Sequence, residues 1–176
     1  MKSWTDKLDA GTPVVKPTPR TFGDVVEGQS MLVPTARQVD HFIRSIPPGT
    51  KMDVRALRTA LALEYGAEVT CPVYMGYHLR TVAEAANEAL QRGMPLEDLT
   101  PFWRVLDEDT PTTGRLTFGT DLLRAQRAKE GLTGEGQAEK GRDRAMRRAD
   151  RRFQIVQHLR GGRLVTAQKL GTWLEV

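Results

Sequence analysis

A mainly α, winged helix-turn-helix-like domain is predicted by three features of this sequence. Apolar residues recur at helical spacing in three successive stretches, over 35–46, 54–65 and 77–92. Each stretch is closed by residues that stop a helix: Pro47-Pro48-Gly49, then Gly66, then Gly93. A short apolar pair, Val105-Leu106, then runs into the polar stretch DEDTPTTGRLTFG, the place for a short strand and a wing. An extended N-terminal arm and an added basic C-terminal helix complete the reading, which divides the chain at 1–33, 34–132 and 133–176.

Taken in order, residues 1–33 are rich in Pro, Thr and Gly, and Pro13, Pro17 and Pro19 oppose helix, so an extended, partly disordered arm is expected. A helix starts near Thr35 and sets Val39, Phe42, Ile43 and Ile46 on one stripe. Asp53 is a good N-cap for VRALRTALALEYG, with Val54, Leu57, Leu61 and Tyr65 facing inward. AEVTCPVYMG is expected to be an irregular link to a third helix over 77–92, whose buried side is Leu79, Val82, Ala83, Ala86 and Leu90. Helix resumes at Thr120, the expected N-cap of DLLRAQRAKEG, and TGEGQAEKG is a flexible joint. A last helix over 142–159 carries Met146, Ala149, Phe153 and Val156 on one side. Beyond Gly161-Gly162, Leu164, Leu170 and Trp173 are expected to dock back on the body.

The chain has 176 residues and a net charge of +4, and its pI is about 9.5. The charge is uneven: from Arg115 to Arg163 there are 13 Lys/Arg against 6 Asp/Glu. That excess is either a solvated helical face or a surface that tracks phosphates. The single Cys71 excludes an internal disulfide, no apolar run approaches the ~20 residues of a membrane span, and MKSWTDKLDAGTP has no apolar export core. A cytoplasmic, non-membrane protein is expected. His41, His78 and His158 are scattered without partners at metal spacing, so neither a metal nor a cofactor is expected.

Four stretches, in order, resemble the C-terminal domain of the alkylguanine-DNA alkyltransferases and the alkyltransferase-like proteins. FIRSIPPGTKMDVRALRTALA resembles that family's helix, Ile-Pro-x-Gly turn and next helix. YHLRTVAEA resembles its recognition helix, matching at Arg80-Thr81-Val82-Ala83. PFWRV resembles the Pro-Cys-His-Arg-Val active-site motif, matching at Pro101, Arg104 and Val105. LLRAQRAKEG resembles the closing helix, whose Glu-Gly falls at Glu130-Gly131. The resemblance spans roughly residues 34–132.

In the family, a cysteine thiolate takes the alkyl group from guanine, a histidine activates it and a glutamate orients the histidine. Here Phe102 stands at the cysteine position and Trp103 at the histidine position; Glu130 alone is kept. Neither ring offers a nucleophile or a usable base, so the resemblance implies a non-enzymatic DNA-binding protein with a vestigial site at Phe102, Trp103 and Glu130. The alkyltransferase-like proteins similarly lack the cysteine and bind alkylated DNA without repairing it. The expected function is therefore DNA binding that senses alkylated guanine by nucleotide flipping, within DNA repair. The alternative is an interaction scaffold or general DNA-binding protein that has lost lesion recognition. Two further departures favour that alternative: Val54 replaces a tyrosine, and RGMPLEDLT replaces the asparagine hinge.

The expected DNA-contacting residues are Tyr77, Arg80, Thr81, Trp103 and Arg104, with Arg144, Arg147, Arg148 and Arg151 from the basic helix. By resemblance Arg80 is a finger that fills the gap left by an extruded base, a cost of a few kcal/mol that a planar cation offsets; otherwise it is a surface arginine. Phe102 is expected to fill the former cavity as core, while Trp103 either does the same or stacks on a base. Arg104 is expected to pair with Asp107 or Glu108, and Glu130 to make a local helix-end contact. Cys71 is expected to be a buried, inert thiol; an enzyme using Cys71 with His78 is the third class of reading. Partners are duplex DNA and, for a scaffold, another protein.

Overall fold

The computed structural model describes residues 2–133, which form a mainly helical fold with one small sheet. The expected basic helix over 142–159, with Arg144, Arg147, Arg148 and Arg151, and the docking tail at 164–173 lie outside the described residues. The elements run α1 (Trp4–Leu8), β1 (Val14–Pro17), β2 (Ser30–Val33), α2 (Ala36–Arg44), α3 (Val54–Glu64), β3 (Val69–Thr70), α4 (Pro72–Gln91) and α5 (Asp121–Lys129). Three 3-10 turns, Leu96–Asp98, Phe102–Arg104 and Thr113–Arg115, fill the stretch between α4 and α5.

The caps read from sequence hold. Thr35 accepts from the Gln38 amide while the Gln38 side chain returns to the Thr35 amide, a capping box at the head of α2. Asp53 caps α3 by accepting from the Ala56 amide at 2.7 Å. Gly66 and Gly93 take positive φ, 67° and 92°, just past α3 and α4, the left-handed positions that end a helix. Val39, Phe42, Ile43, Leu57 and Leu61 enter the core as expected, whereas Tyr65 is exposed.

Residues 1–33 differ from the expected arm. Ser3 and Asp6 form a reciprocal capping box that starts α1, and the Trp4 and Thr5 amides donate to Glu88 of α4 at 2.8 and 3.3 Å. Leu8 is buried in the main core beside Leu32. β1 pairs antiparallel with β2, Val14 opposite Val33 and Pro17 opposite Ser30. The prolines are tolerated because β1 is the edge of the sheet, where a missing N–H costs no ladder bond. β2 pairs parallel with β3, Met31 opposite Val69, so the sheet order is β1-β2-β3. The division at 33/34 therefore falls between β2 and α2, two elements that share one core.

The stretch after α4 also differs. Among the described residues no strand follows α4, so no wing strand forms after Val105-Leu106. Pro95, Pro101 and Pro111 and the lack of alternation there favour tight turns over a strand. α4 begins at Pro72 rather than 77, because proline is well placed in the first helical turn, where its absent N–H would have had no partner anyway. Leu79 and Thr81 through Ala86 are all buried, so the middle of α4 runs through the core while its first turns, with Val73, Tyr74 and Tyr77, stay exposed.

Candidate functional site

The PFWRV segment is a 3-10 turn held in the core. Phe102 is 0% exposed, with its ring edge-to-face against Trp103 at 5.4 Å and against Phe118 at 5.9 Å. It fills the space as expected. Trp103 is 4% exposed, and its indole N–H donates to Glu130 Oε1 at 2.9 Å.

Glu130 is the helix-end residue expected, the C-cap of α5, but its contacts are distant in sequence rather than local and make it the hub of this region. Arg104 grips it as a fork, Nε to Oε2 at 2.8 Å and Nη2 to Oε1 at 2.8 Å, and the Gly49 amide donates to Oε2 at 3.0 Å. Arg104 also donates to the Ile46 carbonyl at 2.6 Å. Its expected partners, Asp107 and Glu108, are passed over because Glu130 offers a partly buried carboxylate in bidentate geometry, and Asp107 is occupied by Thr110. Burial pushes the Glu130 carboxyl up, but the Arg104 bonds, the Trp103 N–H and the Gly49 amide outweigh it and hold it below the usual range. Gly49 has φ of 73°, so the Pro-Pro-Gly turn presents its amide to Glu130 in a conformation that favours glycine.

Sequence reasoning missed two buried polar residues that brace the segment. Arg127 of α5, four residues after Leu123 on the same face, donates to the carbonyls of Trp103, Leu106 and Leu132 at 2.8, 3.0 and 3.1 Å. The signal was an arginine on an apolar stripe. Asp40 of α2 accepts from Thr100, Arg37 and Arg44, and Arg44 reaches the Asp98 carbonyl at 3.0 Å. This network pins the lengthened RGMPLEDLT connection.

On α4, Tyr77 is 54% exposed, in the position of a contacting residue, and Tyr74 and Val73 beside it are exposed too. Thr81 is 0% exposed and donates to the Tyr77 carbonyl at 3.1 Å, so its place in the DNA-contacting set is corrected: the helix turns it into the core. Trp103 and Arg104 are likewise corrected, since one is buried and the other spends its guanidinium on Glu130 and Ile46. Arg80 has a side chain 35% exposed, lying 5.4 Å from the Trp4 ring and 3.7 Å from Glu84.

A cleft of about 670 Å³ opens on the Glu130 side, between Arg44, Pro48, Gly49, Leu99, Trp103 and Lys129. Arg80, Tyr77 and Phe102 are not part of its wall. It is therefore not a cavity beside the finger position. Cys71 is buried among Val25, Met31, Phe22 and Val69, and His78 sits against Tyr74 and Tyr77, with the Pro34 carbonyl its nearest acceptor and no bond of good geometry at either ring nitrogen. The Cys71–His78 pairing that a nucleophile would need is absent. Among the described residues no cluster of His, Cys, Asp or Glu could hold a metal, and no helix is long and apolar enough to cross a membrane.

Comparison with family models, with curated proteins and with solved structures finds no match for this chain.

Proposed function

We propose that this chain is a non-catalytic duplex-DNA-binding protein that uses α4 as its contacting helix and carries a vestigial alkyltransferase site at Phe102, Trp103 and Glu130. The observation that carries this reading is the Trp103–Glu130 hydrogen bond. In the resembled family a glutamate at this place orients a histidine; here the same carboxylate, 27 residues along the chain, receives an indole N–H. An indole cannot accept a proton at its nitrogen, and the neighbouring benzyl ring is no nucleophile. Exposed Tyr74 and Tyr77 on α4 add donors for phosphates and faces for stacking. A helix-turn-helix arrangement without the wing strand, a cytoplasmic setting and a role in DNA repair belong to this same reading.

Two uses of such binding separate cleanly. Sensing alkylated guanine by flipping needs room for an extruded base. A general DNA-binding protein or interaction scaffold does not. The fully buried Phe102, packed on both Trp103 and Phe118, favours the second. Titrating the full chain against one duplex, unmodified or carrying a guanine methylated at its exocyclic oxygen, tests both. Tighter binding to the methylated duplex supports sensing, and equal binding supports the general binder. No binding to either defeats the DNA reading, and a gain in protein mass after incubation with the methylated duplex defeats the non-catalytic one.

A further inference from the structure

We infer that α1 is a strap that holds Arg80 against the body of the protein and lifts from α4 when a duplex binds. This rests on the reading of α4 as the DNA-contacting helix and adds a regulatory step to it. Three features place α1 there. The Glu88 carboxylate receives the amides of Trp4 and Thr5, docking the head of α1 on α4 two turns beyond Arg80. The Trp4 ring takes the Arg80 guanidinium at 5.4 Å and the Lys7 ammonium at 3.8 Å, so one indole holds two cations. Asp9 ties the tail of α1 to Arg37 of α2 at 2.8 Å.

The hold on Arg80 is weak where it would need to be strong for a purely structural arginine. Its Nε is buried without a hydrogen bond. Its nearest carboxylate, Glu84, is already bonded through both oxygens to Thr117, at 2.8 Å to the amide and 2.6 Å to the hydroxyl. Arg80 therefore rests on the Trp4 face and on an ion pair with Glu84 at 3.7 Å that makes no hydrogen bond, contacts that phosphate or base contacts can replace.

Opening the strap breaks no backbone bond of the sheet, although it withdraws Leu8 from the core cluster that also holds Leu32 of β2. α1 has five residues, too few to stand as a helix once undocked, so lifting it is an order-to-disorder step. The exposed segment 10–13, with Gly11 at φ of 86°, joins it to β1, whose pairing with β2 is independent of α1. Opening frees the Arg80 guanidinium of α4 from the Trp4 ring. A polyanion thus binds the open form better than the closed one, which is what a population shift requires.

The test uses full-length protein and an unmodified duplex, comparing wild type with Trp4→Ala and, as a second charge-neutral variant, Ser3→Ala, each checked for its melting transition. Hydrogen exchange of residues 3–9 is followed with and without the duplex. The strap predicts tighter binding by about tenfold for Trp4→Ala, equivalent to ~1.4 kcal/mol, and loss of protection at 3–9 in the wild-type complex. If wild type binds, the folded variants bind no more tightly and 3–9 stay protected, the strap is overturned while DNA binding stands. If neither wild type nor the variants bind, the DNA reading falls and takes the strap with it.

Discussion

Glu130 receives hydrogen bonds from Gly49, Trp103 and Arg104, so its removal leaves three donors without this acceptor at once in a partly buried site. Replacing one member of a buried charged network costs about 2–4 kcal/mol, and Glu130→Gln should lower the urea midpoint accordingly. The pH dependence has a defined sign. The folded carboxyl titrates below its ordinary value of 4.5, so its contribution is fully present above that value and is lost as pH falls through the folded value. Wild type should therefore lose stability on acidification below about 4.5, and Glu130→Gln should lose less over that interval. His78 supplies a second, separate window. Burial lowers its imidazole below the ordinary 6.5, with the Pro34 carbonyl opposing in part. The native state favours the neutral ring, so stability is present above 6.5 and declines as pH falls toward the folded value. His78→Leu should flatten the curve there; an unchanged slope between neutrality and pH 5 would count against a neutral, buried ring.

At the scale of elements, α5 and the PFWRV turn are joined by Arg127, whose guanidinium serves the carbonyls of Trp103, Leu106 and Leu132. Arg127→Met keeps the stem and strands those acceptors, at a cost of about 2–4 kcal/mol. Hydrogen exchange should show the Phe102–Leu106 turn opening before α2 or α3 does. Local signals made α2, α3 and the end of α4 legible in the sequence, because Thr35, Asp53, Gly66 and Gly93 act on the chain within a turn of themselves, whereas Thr120 precedes α5 without a side-chain cap bond. α1 was illegible for the opposite reason. A five-residue helix draws its stability from Glu88, more than eighty residues away, and periodicity cannot register that. Pro72 lay in the stretch read as an irregular link and stands at the start of α4. The site split the same way: Phe102 was legible as core filler, whereas the Glu130 hub depends on partners 26 to 81 residues distant. Thr81 shows the limit of reading a helix by one stripe, since α4 is buried on nearly every side from Thr81 to Ala86.

For the whole molecule, the account joins a basic chain to an outward helix face of tyrosines and one sheltered arginine. Charge alone would give binding that is blind to the α4 residues, and a helix-based interface would not. Each phosphate neutralised adds about 0.9 to the slope of log affinity against log salt. Tyr77→Phe should change affinity little if the ring stacks and weaken it measurably if the hydroxyl holds a phosphate, with the salt slope unchanged in both cases. The most direct measurement is the affinity of full-length wild type and Arg80→Ala for one labelled duplex, taken at about 50 mM and 200 mM salt. Salt-sensitive binding by wild type that weakens by about tenfold or more in Arg80→Ala, near 1.4 kcal/mol, is the predicted result. Equal binding by the two proteins, or none by wild type at the lower salt, would contradict it.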